Sequence, residues 1–176
     1  MKKITLFVIL VVLCSSAFAG NLGLKSIAPK IGLAMPENLD TTFYLGVGAK
    51  MGEITDNLEL VPFLGFWSSG KDELGWDWSF SDFQFGADVH YGIKGVEGLY
   101  GGGGLSFNIF TSKWEYTYLG QKHDDSDSEF KIGFDILAGY ETPIGSKTAF
   151  AEIKYNIIND FNTLEITVGV NFDLKK

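Results

Sequence analysis

Apolar and polar residues alternate along most of this chain. The last segment shows the pattern best, with an apolar residue at every even position from Leu164 to Leu174 and a polar residue or glycine between each pair. A period of two is typical of a β-strand with one apolar face, because successive side chains point to opposite faces. The same alternation recurs in eight segments, at residues 27–33, 43–51, 58–66, 83–93, 105–109, 130–140, 149–157 and 164–174. We therefore predict eight β-strands and an all-β fold.

The connections between these segments fall into two classes. Residues 52–57, 94–98 and 142–147 are short and carry Gly, Pro, Asp or Asn, the residues of tight turns. Residues 68–79 and 111–128 are long, polar and aromatic, and 35–41 and 158–162 are shorter members of the same alternate set. Short turns at one end and long loops at the other, with both termini at the turn end, predict an antiparallel up-and-down meander of eight strands.

The polar face of the strands indicates how the sheet is used. It combines many of the 22 glycines with charged residues of both signs, as expected for the narrow interior of a closed eight-stranded barrel. Apolar residues then face outward, and segments of about ten residues suit tilted strands that cross a lipid bilayer. We expect a lumenal charge network, with a structural role, that comprises Lys30, Lys50, Glu59, Asp88, His90, Lys131, Asp135, Glu152, Lys154 and Glu165. The alternative is a soluble exported barrel of lipocalin type, with its apolar face inside and an apolar ligand bound there.

The N-terminal segment predicts export. Lys2 and Lys3 precede an apolar run over residues 4–13, and an Ala17-Phe18-Ala19 cleavage pattern follows. This order is that of a secretory signal peptide over residues 1–19, which leaves residues 20–176 as the barrel domain. The single cysteine lies within the signal, so the exported chain is expected to hold no disulfide.

The charge of the chain excludes one class of partner. The formal net charge is -8, and all 14 basic residues are lysine. An acidic chain without a basic patch does not attract the phosphates of nucleic acid, so we expect no nucleic-acid partner.

At this point the chain resembles the small outer-membrane β-barrel proteins of OmpA/OmpX type. The resemblance covers residues 22–174 and includes the Gly-rich stretch from Tyr100 to Leu105 and the terminal Val168-Gly169-Val170-Asn171-Phe172. It implies a monomeric transmembrane barrel in the bacterial outer membrane, with periplasmic termini and contacts with outer-membrane lipid and lipopolysaccharide. Members of that family usually end on an aromatic residue that is recognised during assembly, whereas four residues follow Phe172 here.

Candidate site residues lie mainly in the two long loops. Aromatic residues there are contact candidates for a protein or host-surface partner, and they are Trp76, Trp78, Trp114, Tyr116 and Tyr118. Residues 123–129 carry oxygen ligands but lack the glycine and spacing of an EF-hand, so we expect a solvated acidic loop without a bound metal. No cofactor is expected either.

The expected function is a structural and surface-interaction role in the cell envelope, without catalysis. Two further alternatives remain. A surplus of lumenal acids suggests a narrow cation-favouring pore, and His90 suggests a lipid A-modifying enzyme, although no serine nucleophile lies near it in sequence.

Overall fold

The computed structural model describes residues 22–73, 76–118, 121–159 and 161–174, with side chains for all of these except 71–73, 76–77, 115–118 and 121–124. The described residues form β-strands joined by turns, and they include no helix long and apolar enough to cross a bilayer. The strands are β1 (Ser26–Pro36), β2 (Thr42–Lys50), β3 (Glu53–Thr55), β4 (Leu58–Glu73), β5 (Trp76–Gly92), β6 (Leu99–Tyr118), β7 (Gln121–Ile144), β8 (Lys147–Ile158) and β9 (Thr163–Asp173).

The sheet closes on itself. Each long strand pairs antiparallel with the next one along the chain, β9 pairs with β1, and β2 pairs with β4 from Tyr44 opposite Trp67 to Gly48 opposite Phe63. The result is the expected closed eight-stranded antiparallel barrel. The sequence pattern missed β3, which lies within the predicted turn 52–57 and pairs only with the start of β4.

The faces of the strands are sorted as the alternation predicts. Phe43 is 81% exposed on the outer wall, whereas the next residue, Tyr44, is fully buried in the lumen. On β8 the outward Ile153 is 53% exposed and the inward Lys154 is 1% exposed. An apolar exterior around a charged interior is the reverse of a lipocalin-type barrel, so that alternative is wrong.

The prediction that residues 68–79 and 111–128 form long loops is wrong. Strands β4 and β5 stay paired through Glu73 opposite Trp76, and β6 and β7 stay paired through Tyr118 opposite Gln121. The described residues within 68–79 and 111–128 therefore all belong to paired antiparallel strands, which we call the two hairpins. Beyond the barrel wall neither face of a hairpin needs to be apolar, so the alternation that marks a strand disappears even though the backbone pairing continues.

The two ends of the barrel differ. We call the end with these hairpins the hairpin end, and the opposite one the turn end. The turn end is compact: Asn57 and Gly145 take a positive φ of 62° each, which Asn and Gly tolerate better than other residues. The two ends of the described chain also approach each other there, because the Leu174 amide donates to the Lys25 carbonyl over 2.8 Å.

Candidate functional site

The middle of the lumen holds buried ion pairs from four strands. Lys154 on β8 forms an ion pair with Asp88 on β5, and its Nζ lies 3.8 Å from Asp135 Oδ2 on β7. Lys30 Nζ on β1 donates to Glu152 Oε1 over 2.9 Å. Each of these residues occupies an inward position of its strand, so their side chains meet in the lumen. Buried carboxylates there require charged or hydrogen-bonding partners.

Three residues of the predicted network, Lys50, Glu59 and Lys131, lie elsewhere. At the turn end, Lys50 Nζ lies 3.1 Å from Glu59 Oε2 and 2.7 Å from Glu141 Oε1, a partner that the sequence-based set omitted. Lys131 lies near the hairpin end, with its Nζ 3.4 Å from Glu129 Oε2 and 3.3 Å from the Asn159 carbonyl. The ten residues are thus divided among three levels of the barrel.

Glu165 belongs to the buried level and forms no ion pair with another described residue. It lies opposite Lys154 in the β8–β9 pairing and is 1% exposed, yet neither carboxylate oxygen has a hydrogen-bond partner among the described residues. The described interior therefore holds more buried carboxylates than its two buried lysines neutralise.

His90 lies in an arrangement suited to packing. Its ring stacks on Tyr100 with centroids 4.6 Å apart, and its Nε2 is 3.8 Å from Glu152 Oε2. The Tyr100 hydroxyl donates to the same Glu152 carboxylate over 3.0 Å. Neither ring nitrogen of His90 is hydrogen-bonded to a described residue.

Inward glycines make room for inward aromatic rings. A Cβ on Gly139 would overlap the ring of Tyr100, and one on Gly65 would overlap the hydroxyl of Tyr44. Glycine at these positions lets a ring lie flat against the neighbouring strand, so the glycines of the polar face accommodate aromatic side chains as well as charges.

An aromatic layer closes the lumen toward the hairpin end, and sequence reasoning missed it. Trp67 is fully buried, and its ring centroid lies 6.2 Å from Phe161 and 6.4 Å from both Phe80 and Phe110. Phe110 also packs edge-on against Phe161 at 5.0 Å. We call Trp67, Phe80, Phe110 and Phe161 the aromatic plug. A signal for this layer is present in the sequence of β4. Val61 and Phe63 point inward, and alternation along the strand places Trp67 on the same inward side.

Above the plug the hairpins carry the predicted contact aromatics. Trp78 on β5 pairs directly with Trp114 on β6, on the same side of the strand as Phe80, and Trp78 is 62% exposed. The side chains of Trp76, Tyr116 and Tyr118 lie outside the described part of the structure, although their backbones belong to the hairpin strands.

The acidic segment also lies on a hairpin strand. Asp125 and Asp127 accept hydrogen bonds of 2.9 Å from the backbone amides of Ser126 and Ser128, and all four are exposed. Among the described residues no group of three or more His, Cys, Asp or Glu side chains is arranged to hold a metal ion.

Comparison with protein families identifies a match over most of the chain. A family model described as "Outer membrane protein beta-barrel domain" matches residues 5–173. A search of curated proteins finds no match to the chain.

Solved structures share the fold at low identity. Ail, the attachment invasion locus protein of Yersinia pestis, has a TM-score of 0.59 and 16% identity, with 87% of this chain and 99% of that chain covered. Neisserial surface protein A has a TM-score of 0.57 and 14% identity over 85% and 96% of the two chains. Ail in complex with the heparin analogue sucrose octasulfate gives a TM-score of 0.50 and 15% identity over 86% and 100%.

Proposed function

We infer a function from the premise that this chain belongs to the outer membrane protein beta-barrel domain family. As a member it is a protein of the bacterial outer membrane. We propose that it is a monomeric, non-catalytic envelope barrel that presents its two long hairpins outside the cell, with the turn end and termini in the periplasm. The observation that carries this proposal is that β4–β5 and β6–β7 continue as paired strands past a packed interior.

The packed interior favours a structural role for the barrel rather than conduction of ions through a pore. The buried ion pairs of Lys154 and Lys30 occupy the middle of the lumen, and the aromatic plug lies above them. A lumenal cavity lined by Lys30, Asp88 and Glu152 measures only about 20 Å³, roughly the space of one water molecule. No continuous aqueous path is expected through these two layers.

Two further observations support the other parts of the proposal. Closure of the sheet leaves no open edge among the eight long strands to recruit a second copy, which favours a monomer. His90 is buried beneath Tyr100 with no hydroxyl nucleophile bonded to it in the described structure, which favours a packing role.

The hairpin aromatics define the proposed contact surface. Trp78 and Trp114 form a cross-strand pair on the hairpins, and exposed tryptophan is a frequent anchor of binding energy. Asp125, Asp127 and Glu129 are exposed on the neighbouring strand. These carboxylates would repel a polyanion such as the heparin analogue bound by Ail, so we propose a partner surface that is neutral or basic.

The orientation in the membrane is tested by cysteine labelling. The single cysteine lies in the predicted signal peptide, so the exported chain offers no background thiol. We expect Ser126→Cys, on a hairpin, to react with a membrane-impermeant maleimide in intact cells. Ser146→Cys, in the β7–β8 turn, should react only after the outer membrane is permeabilised. Labelling of Ser146→Cys in intact cells would contradict the proposed orientation.

The contact role is tested by adhesion of cells that display the protein to surfaces coated with a basic protein or with a neutral protein. We expect the wild type to bind at least one surface above cells that lack it. Trp78→Ala should weaken that binding by about 30-fold or more, because a central tryptophan contributes about 2 kcal/mol or more. Lys113→Ala, on the opposite side of the neighbouring strand, is the control. Equal binding by wild type and Trp78→Ala, or no binding by wild-type cells, would contradict the role.

A further inference from the structure

The outer wall of the barrel carries a groove near the turn end. It has a volume of about 620 Å³, crosses β1, β9, β8 and β7, and is almost entirely apolar. Its lining includes Ile31, Tyr140, Ala149, Ala151, Val170 and Phe172. The volume falls within the range of about 300–1,000 Å³ that is usual for small-molecule sites.

Small side chains on one strand create this groove. Outward positions of β8 change from Ala149 and Ala151 to Ile153 and Tyr155 as the strand rises toward the hairpin end. Tyr140 on β7 lies directly opposite Ala151 and is 50% exposed, so its large side chain borders the groove beside the small alanine. The groove is therefore a depression between large outward side chains, set by residue size within one regular strand.

A lysine stands at the edge of the groove. Lys147 begins β8, and its Nζ lies 4.1 Å from the ring centroid of Phe172, one of the lining residues. Within the described residues no carboxylate pairs with this ammonium group. A cation beside an apolar groove at the end of a membrane-crossing strand is complementary to a lipid with an anionic headgroup.

We propose that this groove holds an acyl chain of an anionic phospholipid and that Lys147 binds its phosphate. An empty depression in a lipid-facing wall loses van der Waals contacts on one side, and a flexible chain fills it better than a rigid side chain of a neighbouring molecule. The lysine then selects the headgroup by charge. This inference requires only that the outer wall contacts lipid, and it holds whatever the hairpins bind.

The test uses the full exported chain, refolded in detergent and studied by native mass spectrometry. The probes are phosphatidylglycerol and phosphatidylcholine with the same acyl chains. We expect the wild type to retain one phosphatidylglycerol under conditions that strip other lipid. Lys147→Gln should reduce the preference for phosphatidylglycerol over phosphatidylcholine by about fivefold, the effect of about 1 kcal/mol for one lysine near a lipid surface.

Filling the groove provides the second arm. Ala151→Leu should abolish retention of the bound lipid, whereas Ala87→Leu, at an exposed outward alanine on β5, should not. Unchanged retention in Ala151→Leu, or equal loss in both leucine variants, would overturn the proposal. A lipid-free dimer of the wild type that Ala151→Leu removes would also overturn it, because the groove would then be an interface between copies. A shift in electrophoretic mobility on heating shows that each variant is folded. Lys147→Gln tests the site independently of the leucine variants, because it does not enlarge a side chain.

Discussion

Replacement of Lys154 by methionine is expected to destabilise the folded barrel by about 3–5 kcal/mol, the usual cost of leaving buried charges without their partner. Lys154 is 1% exposed, pairs with Asp88, and lies 3.8 Å from Asp135. Both carboxylates are buried, so the variant leaves two acids with no cation beside them. Guanidinium unfolding of the refolded protein in detergent, followed by circular dichroism, measures the change.

Lys131→Met is the matched control for this experiment. Lys131 contacts Glu129, which is 67% exposed, and the Asn159 carbonyl at the hairpin end. A pair open to solvent contributes about 0–1 kcal/mol, so the control should unfold close to the wild type. Adding Asp88→Asn to Lys154→Met should recover part of the loss, because one unpaired charge is removed. Equal unfolding of the two methionine variants would contradict the idea that the buried pairs stabilise the barrel.

The orientation of side chains could be predicted because strand geometry dictates it. Once a strand has begun, each further residue must alternate between the lipid-facing wall and the lumen. Phe43 and Tyr44 show this directly, since both are aromatic and yet one is 81% exposed and the other fully buried. Parity, rather than residue type, determines the environment of each side chain.

Contacts across the lumen could not be predicted in the same way. Lys30 meets Glu152, and Lys50 meets Glu141, because the barrel closes and the strands tilt. Sequence separation carries no information on which inward residues share a level. The sequence-based set therefore omitted Glu141 and treated as one network residues that lie at three levels.

The extent of the strands was underestimated for a different reason. Periodic hydrophobicity marks a strand only where one face meets lipid and the other meets the interior. From Ser68 onward β4 leaves that environment, and its pairing with β5 depends on backbone hydrogen bonds that are indifferent to polarity. Polar composition was therefore a poor guide to where the strands end.

The second large effect is expected at the aromatic plug. Trp67→Ala should destabilise the barrel by about 3–5 kcal/mol, the usual cost of removing a large buried aromatic side chain. Trp67 is fully buried and contacts rings from β5, β6 and the segment before β9, so its removal leaves a cavity that these rings cannot fill without leaving their own positions. The same guanidinium titration, followed by circular dichroism so that tryptophan is not the reporter, measures the loss.

Trp78→Ala separates this packing effect from the general loss of a tryptophan. Trp78 is 62% exposed on the hairpin, where substitutions usually change stability by no more than about 0.5 kcal/mol. A large loss for Trp67→Ala alone would show that the plug stabilises the barrel while the hairpin aromatic remains available for contacts. A similar small loss for both variants would contradict a packed plug.

Because Lys154 and its carboxylates still fill the lumen below the missing ring, the Trp67→Ala variant should conduct no more ions across a planar bilayer than the wild type.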